Sequence, residues 1–333
     1  MKKTNLDDGC YLIEPFIQGA NVKIDRKIFN EAFENSDVLA DLHRIEDVFS
    51  VLARSYVEFE ERLLKLSIKS EFEDFDFSNH RVHFSEFREW INLSLINLLT
   101  MSRVYEESLR SRIVGAGLPN LTKADINVLL SQEYDNKFEY RVGYGLRNFA
   151  LHDTLPVASM SFSNSSEFED ESNIAASASR HRFTLNPTLS VAPLVASSRL
   201  NARVRDELKA LDAEKLDIKY LVRSIVESFY RIHENVRKNS AYRFVEIDES
   251  HSKLRALLSA AKGEEARHTE IWEVEGGLVR SRKYIASELV EEISKKRARW
   301  SRLKFTARSY ISNQIIKQDG KLPASDPKLW ESK

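Results

Sequence analysis

The chain has 333 residues, and its 50 basic and 51 acidic side chains give a formal net charge of −1. This balance excludes a globally basic nucleic-acid coat, so any contact with RNA has to come from a local patch. Cys10 is the only cysteine, which excludes an internal disulfide and a zinc site built from several cysteines. The length favours one to three domains with a large core.

The polar sequence of residues 1–9 lacks the apolar run of a signal peptide. No stretch of the chain approaches the run of about 18 uncharged apolar residues that a spanning helix needs. We therefore expect a soluble, cytoplasmic protein that does not enter a membrane. The single cysteine fits a reducing compartment.

Two long segments have the apolar spacing of amphipathic helices. Apolar residues follow one another in steps of three and four along residues 42–66 and again along residues 84–109. This stepping marks one face of a helix. Since only a short acidic and polar stretch at residues 71–80 separates them, the two segments predict an antiparallel helix pair.

The second long helix is followed by a break and by a capping signal. Gly115, Gly117 and Pro119 end the helical pattern, and Thr122 with Asp125 predicts the N-terminus of a new helix. This short helix extends to about residue 131.

The next predicted helix begins at about residue 135 and has buried apolar positions at Phe138, Val142, Leu146 and Phe149. Because a residue before proline avoids the α region, this helix should end by residue 155, ahead of Pro156.

Residues 156–198 differ in composition from the helical segments around them. Residues 156–163 and 181–194 contain β-branched residues and show a partial alternation of apolar and polar side chains, which predicts a small hairpin. A serine- and glutamate-rich loop at 164–179 separates its two strands. Helical spacing returns at residues 221–236. Beyond residue 241 we predict a short helix at 254–261, a hairpin around Gly276-Gly277 and a final helix at 287–316.

The predicted fold class is therefore mainly α, with a β-containing insertion and a helical C-terminal region that includes a hairpin. Three regions follow from this pattern: an N-terminal segment of residues 1–29, a helical domain of residues 30–240 with its insertion at about 156–198, and a C-terminal region of residues 241–333.

Arg147, Asn148 and His152 form the strongest chemical signal in the chain. A histidine can transfer a proton near neutral pH, and an arginine can stabilise a phosphate whose negative charge increases. Asn148 and His152 lie one helical turn apart, whereas Arg147 and His152 differ by about 140° around the helix axis. Either the arginine side chain wraps around, the helix breaks near the motif, or a second copy completes the site across a two-fold axis.

The motif matches the Arg-polar-x-x-x-His signature of the HEPN family (higher eukaryotes and prokaryotes nucleotide-binding), and residues 146–157 resemble the continuation seen in some bacterial members. The resemblance covers about residues 30–239. It implies a helical bundle that dimerises, with both Arg/His pairs in a shared cleft. It also implies metal-independent endoribonuclease activity, without a cofactor, in toxin–antitoxin or phage-defence systems. The predicted β insertion departs from the minimal family fold.

In the chemistry that this resemblance implies, the ribose 2′-hydroxyl attacks its own phosphate. His152 would transfer the proton, Arg147 would stabilise the pentacoordinate phosphorane, and Asn148 would orient either group. The implied partners are RNA, a second copy of the chain and an antitoxin or defence-system protein.

Other interpretations of the motif remain open. Arg147 and His152 could simply satisfy the carbonyls and the dipole at a helix C-terminus. Some family members keep the fold but serve only as modules that bind RNA or a protein. An antitoxin-like or scaffold subunit of a defence complex is a third interpretation.

A basic run near the C-terminus is a second candidate for RNA contact. It interleaves cations with Trp300 and Phe305, so it could follow an RNA backbone with bases stacked beside it. The alternative is a solvated helix face. The predicted RNA-binding residues are Lys295, Lys296, Arg297, Arg299, Arg302 and Lys304, and Arg308 continues the run.

The remaining polar clusters are weaker. Arg199, Arg203 and Arg205 favour an ordinary surface patch. His80 and His83, preceded by Asp74 and Asp76, lie in a predicted turn that does not suggest the helical or hairpin geometry of a metal site. Several other histidines have no convincing partner in the sequence: His43, His233, His251 and His268.

Overall fold

The computed structural model describes residues 3–15, 19–72, 80–168 and 178–307. The protein is mainly helical with two small antiparallel sheets, which confirms the predicted fold class at that level. In chain order the described residues form β1 (Gly9–Ile13), β2 (Asn21–Ile24), α1 (Arg26–Phe72), α2 (His80–Gly115), α3 (Lys123–Asn136), α4 (Phe138–His152), β3 (Val157–Phe168), β4 (Ala178–Ser190), α5 (Val191–Ala196), α6 (Ala202–Ala210), β5 (Lys215–Asp217), α7 (Ile218–Lys262), β6 (Glu270–Glu275), β7 (Leu278–Tyr284), α8 (Ser287–Arg299) and a 3₁₀ helix (Ser301–Phe305).

The chain divides into two compact units. Unit 1 comprises residues 1–54, 101–136 and 228–304, and unit 2 comprises residues 55–100, 137–227 and 305–333. The units are thus composed differently from the predicted regions, because α1, α2 and α7 each contribute residues to both.

The predicted pair of long helices is confirmed as α1 and α2. In unit 2 the guanidinium of Arg62 lies 4.3 Å from the ring centre of Trp90, and Lys69 Nζ lies 3.8 Å from Glu86 Oε2. Residue numbers rise along α1 as they fall along α2, so the two helices are antiparallel.

The predicted capping arrangement before α3 is also confirmed. The Thr122 N–H donates to Asp125 Oδ2 at 2.8 Å, and the Asp125 N–H donates to Thr122 Oγ1 at 3.3 Å. This reciprocal pair satisfies two amide groups that the first turn of a helix leaves without partners.

Unit 1 contains a four-stranded sheet in the order β2-β1-β6-β7. Cys10 and Leu12 enter one apolar cluster with Phe29 and Leu254, while the alternate residues Tyr11 and Ile13 enter a second cluster. This is the two-residue period of a strand that is buried on both faces. The predicted hairpin is confirmed as β6 and β7, whose turn residues Gly276 and Gly277 have φ of 59° and 67°.

Strands β1 and β2 were not predicted, since residues 1–29 were expected to form a separate segment. β2 pairs with the nearby β1, whereas the other partner of β1 is remote in the chain: Tyr11 pairs with Trp272 and Leu12 with Ile271. Because about 260 residues separate β1 from β6, no turn signal next to β1 indicates that the two strands pair.

Two helix boundaries predicted in unit 1 differ from the structure. The short helix at 254–261 is the end of α7, which runs without a break through the predicted boundary at 240/241. The polar residues Ser240 and His251 interrupt the apolar spacing, yet both are fully buried on this helix.

The final helix was predicted to reach residue 316, but α8 ends at Arg299. The Leu303 N–H bonds to the Trp300 carbonyl at 3.2 Å, which is the tighter turn of a 3₁₀ helix. Residues beyond 307, including Arg308, lie outside the described part of the chain.

Unit 2 contains α4 and a three-stranded sheet in the order β3-β4-β5. The predicted hairpin is confirmed, but its strands extend into the predicted loop, from the pair Val157↔Leu189 to the pair Phe168↔Ala178. Only residues 169–177 of that loop fall between the strands, and they lie outside the described residues. A strand ladder depends on backbone hydrogen bonds, so a serine-rich composition did not prevent its extension.

Candidate functional site

The motif lies on the C-terminal half of α4, which packs closely against two neighbours in unit 2. A β-carbon built on Gly143 would lie 2.5 Å from Ile225 Cδ1, and one built on Gly145 would lie 3.0 Å from Leu200 Cγ. A side chain at either position would force Ile225 or Leu200 to shift, so the two glycines allow α4 to pack closely against these neighbours.

Hydrogen bonds fix the chain directly after the motif. The Asp153 N–H donates to the Phe149 carbonyl at 2.9 Å and closes α4 at His152. The buried side chain of Asn92 then holds Val157 from both sides, since it accepts from the Val157 N–H at 2.9 Å and donates to its carbonyl at 3.0 Å. The predicted helix end before Pro156 is thereby confirmed.

Arg147 is half-buried, and no carboxylate among the described residues pairs with it. Its Nε atom is buried and has no hydrogen-bond acceptor. Arg141, six residues earlier on α4, shows the contrast: it is 6% exposed and donates two hydrogen bonds to Glu207, at 2.8 and 3.0 Å. Arg147 therefore presents a cation whose charge no described carboxylate balances.

Asn148 is half-buried and His152 is exposed on the last turn of α4. The helix is continuous from Phe138 to His152, which excludes a helix break at the motif. Two of the three geometric alternatives remain: a long Arg147 side chain that wraps around the helix, or a second copy of the chain.

A small polar cluster surrounds the end of α4. Ser197 Oγ donates to Asp153 Oδ2, the Arg199 N–H donates to Ser197 Oγ at 3.0 Å, and Arg199 Nε lies 3.8 Å from Asp153 Oδ1. Arg199 was expected to belong to a surface patch, and its position beside the residue after His152 was not predicted. The sequence contains no signal for this contact, because 45 residues separate Asp153 from Arg199 in the chain.

The rest of that arginine patch is ordinary surface chemistry. Arg203 Nε lies 3.3 Å from Glu207 Oε1, within the same α6 helix, and Arg205 is half-buried.

The basic run lies mainly in unit 1, where several of its cations contact acids. Lys296 pairs with Asp47 of α1 and lies 2.9 Å from His43 Nε2, and Arg297 Nε donates to Glu46 at 2.9 Å. Lys295 Nζ lies 2.5 Å from Glu291 Oε1.

Arg299, Arg302 and Lys304 are exposed, whereas the indole of Trp300 donates to Ser50 Oγ at 3.0 Å and Phe305 is 60% exposed. The RNA-binding role of the run stays a prediction, and Arg299 and Arg302 are exposed cations of the run that have no carboxylate partner among the described residues.

Unit 1 also contains a buried polar network that the sequence analysis missed. His233 is 0% exposed; its Nε2 lies 3.1 Å from Glu46 Oε2 and its Nδ1 lies 3.1 Å from the Tyr105 hydroxyl. Its ring stacks on Phe49 with centres 3.8 Å apart. Arg237 donates to the same carboxylate at 2.7 Å.

Burial lowers the pKa of His233 to about 4, so the ring is neutral at physiological pH. Burial alone would raise the pKa of Glu46, but the hydrogen bonds from His233 and Arg237 and the positive charge of Arg237 hold it well below its ordinary value. The ionised carboxylate can only accept, which assigns the ring proton to Nε2 and leaves Nδ1 to accept from Tyr105.

The expectation that His43 and His233 lack partners was therefore wrong. A signal existed, because His233 and Glu46 are polar residues on the apolar faces of α7 and α1. Such positions are buried, and a buried polar group requires a partner.

The described residues contain no group of three or more His, Cys, Asp or Glu side chains that could hold a metal ion. The side chains of His80 and His83, and all of Asp74 and Asp76, lie outside what the structure describes. A search of the described helices finds none that is long and apolar enough to cross a membrane.

No protein-family model, curated protein or solved structure matches the chain.

Proposed function

We propose that the protein is an endoribonuclease of the HEPN type, which cleaves RNA without a metal ion or a cofactor. The observation that supports this most directly is the state of Arg147. Its guanidinium is half-buried without a carboxylate partner among the described residues, and its Nε lacks an acceptor. An arginine in this state favours an anion with several oxygens, and a phosphodiester has the matching geometry.

The proposed reaction forms a bond between the ribose O2′ and phosphorus and breaks the bond between phosphorus and O5′. His152 accepts the proton of the 2′-hydroxyl, and a histidine of the same site returns a proton to the leaving O5′. Arg147 stabilises the charge on the non-bridging oxygens, and Asn148 orients the phosphate. The products are a 2′,3′-cyclic phosphate and a 5′-hydroxyl end.

The proposed active form is a homodimer. Arg147 and His152 differ by about 140° around the continuous α4 helix, so one copy does not readily direct both at a single phosphate. Beside them Leu151 and Leu155 are 54% and 45% exposed. A second copy packed across a two-fold axis would cover these residues and bring each arginine near the other copy's histidine. The biological role we propose is that of a cytoplasmic toxin or phage-defence effector.

The test compares the wild-type protein with His152→Ala on a labelled RNA in the presence of EDTA. We expect the wild type to leave cyclic phosphate ends and the variant to be inactive. The exposed His268 of unit 1 provides a matched control, and His268→Ala should cleave like the wild type. Cleavage that stops on chelation and returns with Mg²⁺ would contradict the mechanism. Binding of RNA without cleavage would indicate a non-catalytic RNA-binding module.

A further inference from the structure

We infer that Arg199 is a second phosphate-binding residue of the α4 site and that it acts on the side of the helix where His152 lies. The inference rests on the proposed function, since it assigns an RNA phosphodiester to the same site. It places a cation of the same copy next to Asp153, the residue after His152, whereas Arg147 lies about 140° around the helix from His152.

The course of residues 197–200 along α4 places Arg199 there. Ser197 bonds to Asp153 at the C-terminal end of the helix, while Leu200 lies against Gly145. Asp153 and Gly145 are eight residues apart, which is about 12 Å along a helix axis. Residues 198–199 form a turn between these two contacts, so Arg199 lies beside the last two turns of α4.

Helix geometry shows which side of α4 this segment follows. Taking Gly145 as the origin, His152 lies about 20° away around the axis and Arg147 about 160° away. Asp153 lies about 80° from Gly145, about 100° from His152 and about 120° from Arg147. The segment between Asp153 and Gly145 is therefore closer in angle to His152 than to Arg147, and Arg199 pairs with the residue that directly follows His152.

The ion pair between Arg199 and Asp153 is loose. One nitrogen of Arg199 approaches one carboxylate oxygen at 3.8 Å, and half of the arginine side chain is exposed. Elsewhere in unit 2, Arg223 donates to both oxygens of Glu60 at 2.7 and 2.9 Å. A guanidinium held by one weak contact keeps most of its donors available for a second, stronger acceptor.

The placement of Asp153 explains why a cation is held at this point. A carboxylate at a helix C-terminus is unfavourable, because the helix carbonyls already give that end a partial negative charge. Arg199 offsets this charge, and Ser197 occupies the second carboxylate oxygen. Asp153 thus orients the Arg199 guanidinium but leaves most of its N–H donors without an acceptor. A phosphodiester that reaches His152 would meet a half-exposed arginine with free N–H groups.

The experiment measures binding of a 2′-O-methyl oligoribonucleotide, which cannot be cleaved because it lacks the attacking hydroxyl. Fluorescence anisotropy over a range of salt concentrations compares wild type, Arg199→Gln, Arg199→Lys and Arg203→Gln. Arg203 is the matched control, because its ion pair lies far from His152. Its partner Glu207 also binds Arg141, which lies about 16 Å along α4 from His152.

We expect Arg199→Gln to weaken binding about tenfold and to reduce the salt slope by about 0.7, the loss of one phosphate contact on a single strand. Arg199→Lys should keep the slope, and Arg203→Gln should bind like the wild type. With a cleavable RNA, the Arg199→Gln effect should appear in KM more than in kcat.

Each result distinguishes the two proposals. If the wild type cleaves RNA but Arg199→Gln binds and cleaves normally, the inference about Arg199 is overturned while the proposed function stands. If Arg199→Gln weakens binding of the oligoribonucleotide but the wild type cleaves nothing, Arg199 binds phosphate and the ribonuclease proposal fails. If Arg199→Gln lowers only the melting temperature, Arg199 is a structural partner of Asp153. If the wild type neither binds the oligoribonucleotide nor cleaves RNA, both proposals fail; if it cleaves RNA but does not bind the analogue, the inference about Arg199 is overturned while the proposed function stands.

Discussion

His233 donates its Nε2 proton to Glu46, with 3.1 Å between nitrogen and oxygen, in a part of unit 1 where both side chains are almost completely buried. The carboxylate also accepts from Arg237 and Arg297, so one anion binds two cations and a neutral ring. An arrangement of this kind is sensitive to the loss of its central charge, because the remaining cations are then left without a counter-ion.

We expect Glu46→Gln to lower the free energy of unfolding by about 3–5 kcal/mol, as removal of one partner of a buried ionic cluster does elsewhere. Asp47→Asn is the matched control on the next residue of α1, where the carboxylate is 44% exposed and pairs with the half-buried Lys296 and His43. Urea unfolding at pH 7 measures both variants. An equal loss of unfolding free energy in the two variants would show that Glu46 contributes no more to stability than Asp47.

The free energy of unfolding should fall as the pH is lowered from 7 to 5. Burial lowers the pKa of His233 from 6.5 to about 4, so below pH 6.5 the unfolded chain binds a proton that the folded chain excludes. The stability that His233 contributes is complete above pH 6.5 and is lost as the pH falls towards 4. Its share of the loss between pH 7 and 5 is about 2 kcal/mol. A free energy that stays constant over this range would mean that His233 becomes protonated inside the folded protein.

We expect His251→Leu to stabilise the protein by about 1 kcal/mol at pH 7, because a buried polar group without partners costs about this much or more. His251 is 0% exposed, neither ring nitrogen has a hydrogen-bond partner among the described residues, and burial lowers its pKa to about 4. The leucine would lie between Ile247 and Leu254, both buried on the same face of α7.

The same substitution should also reduce the loss of stability between pH 7 and 5, since the unfolded variant has one less histidine to protonate. Thermal unfolding at the two pH values measures both effects. A destabilised variant with an unchanged pH dependence would show that His251 has a partner that the described residues do not include.

Arg147→Ala and Arg147→Gln should each lower kcat for RNA cleavage by a factor of about 10² to 10³, the usual effect of removing one donor that stabilises a transition state. Because the buried Nε has no acceptor, neither change breaks an ion pair among the described residues, and both variants should keep the wild-type circular dichroism. Arg280→Ala, which removes an exposed arginine of unit 1, is the control. Loss of helical signal in both Arg147 variants would assign this residue to the fold.

Co-expression of Arg147→Ala with His152→Ala tests the shared cleft. If an arginine of one copy and a histidine of the other form a complete site, half of the dimers contain one intact pair. The mixture should then recover about a quarter of the wild-type activity. No recovery would show that both copies of each residue are required. A strict monomer in light scattering at micromolar concentration, still active on RNA, would exclude the dimer.

The basic run near the C-terminus should contribute to RNA affinity through Arg299 and Arg302 and not through Lys296. The double reversal to Glu at Arg299 and Arg302 should weaken binding and reduce the salt slope, because fewer counterions are released. Lys296→Glu should mainly lower the melting temperature, since Lys296 already binds Asp47. If the double reversal leaves affinity and salt slope unchanged, these arginines belong to a solvated helix face.

The sequence alone predicted the features that depend on near neighbours. The apolar spacing of α1 and α2, the reciprocal bonds of Thr122 and Asp125, and the end of α4 before Pro156 all follow from contacts or steric limits within a few residues. The candidate motif could be recognised for the same reason, because its three residues lie within one and a half turns of a single helix.

Only the tertiary structure decided which distant residues meet. It paired β1 with β6, brought Arg199 to Asp153, and turned Lys296 and Arg297 towards the acids of α1. Residue type and local spacing show that a strand needs a neighbour or that a charge favours an opposite charge. They do not show which one, because several partners of equal chemistry exist and the choice among them depends on how the apolar faces of the helices pack.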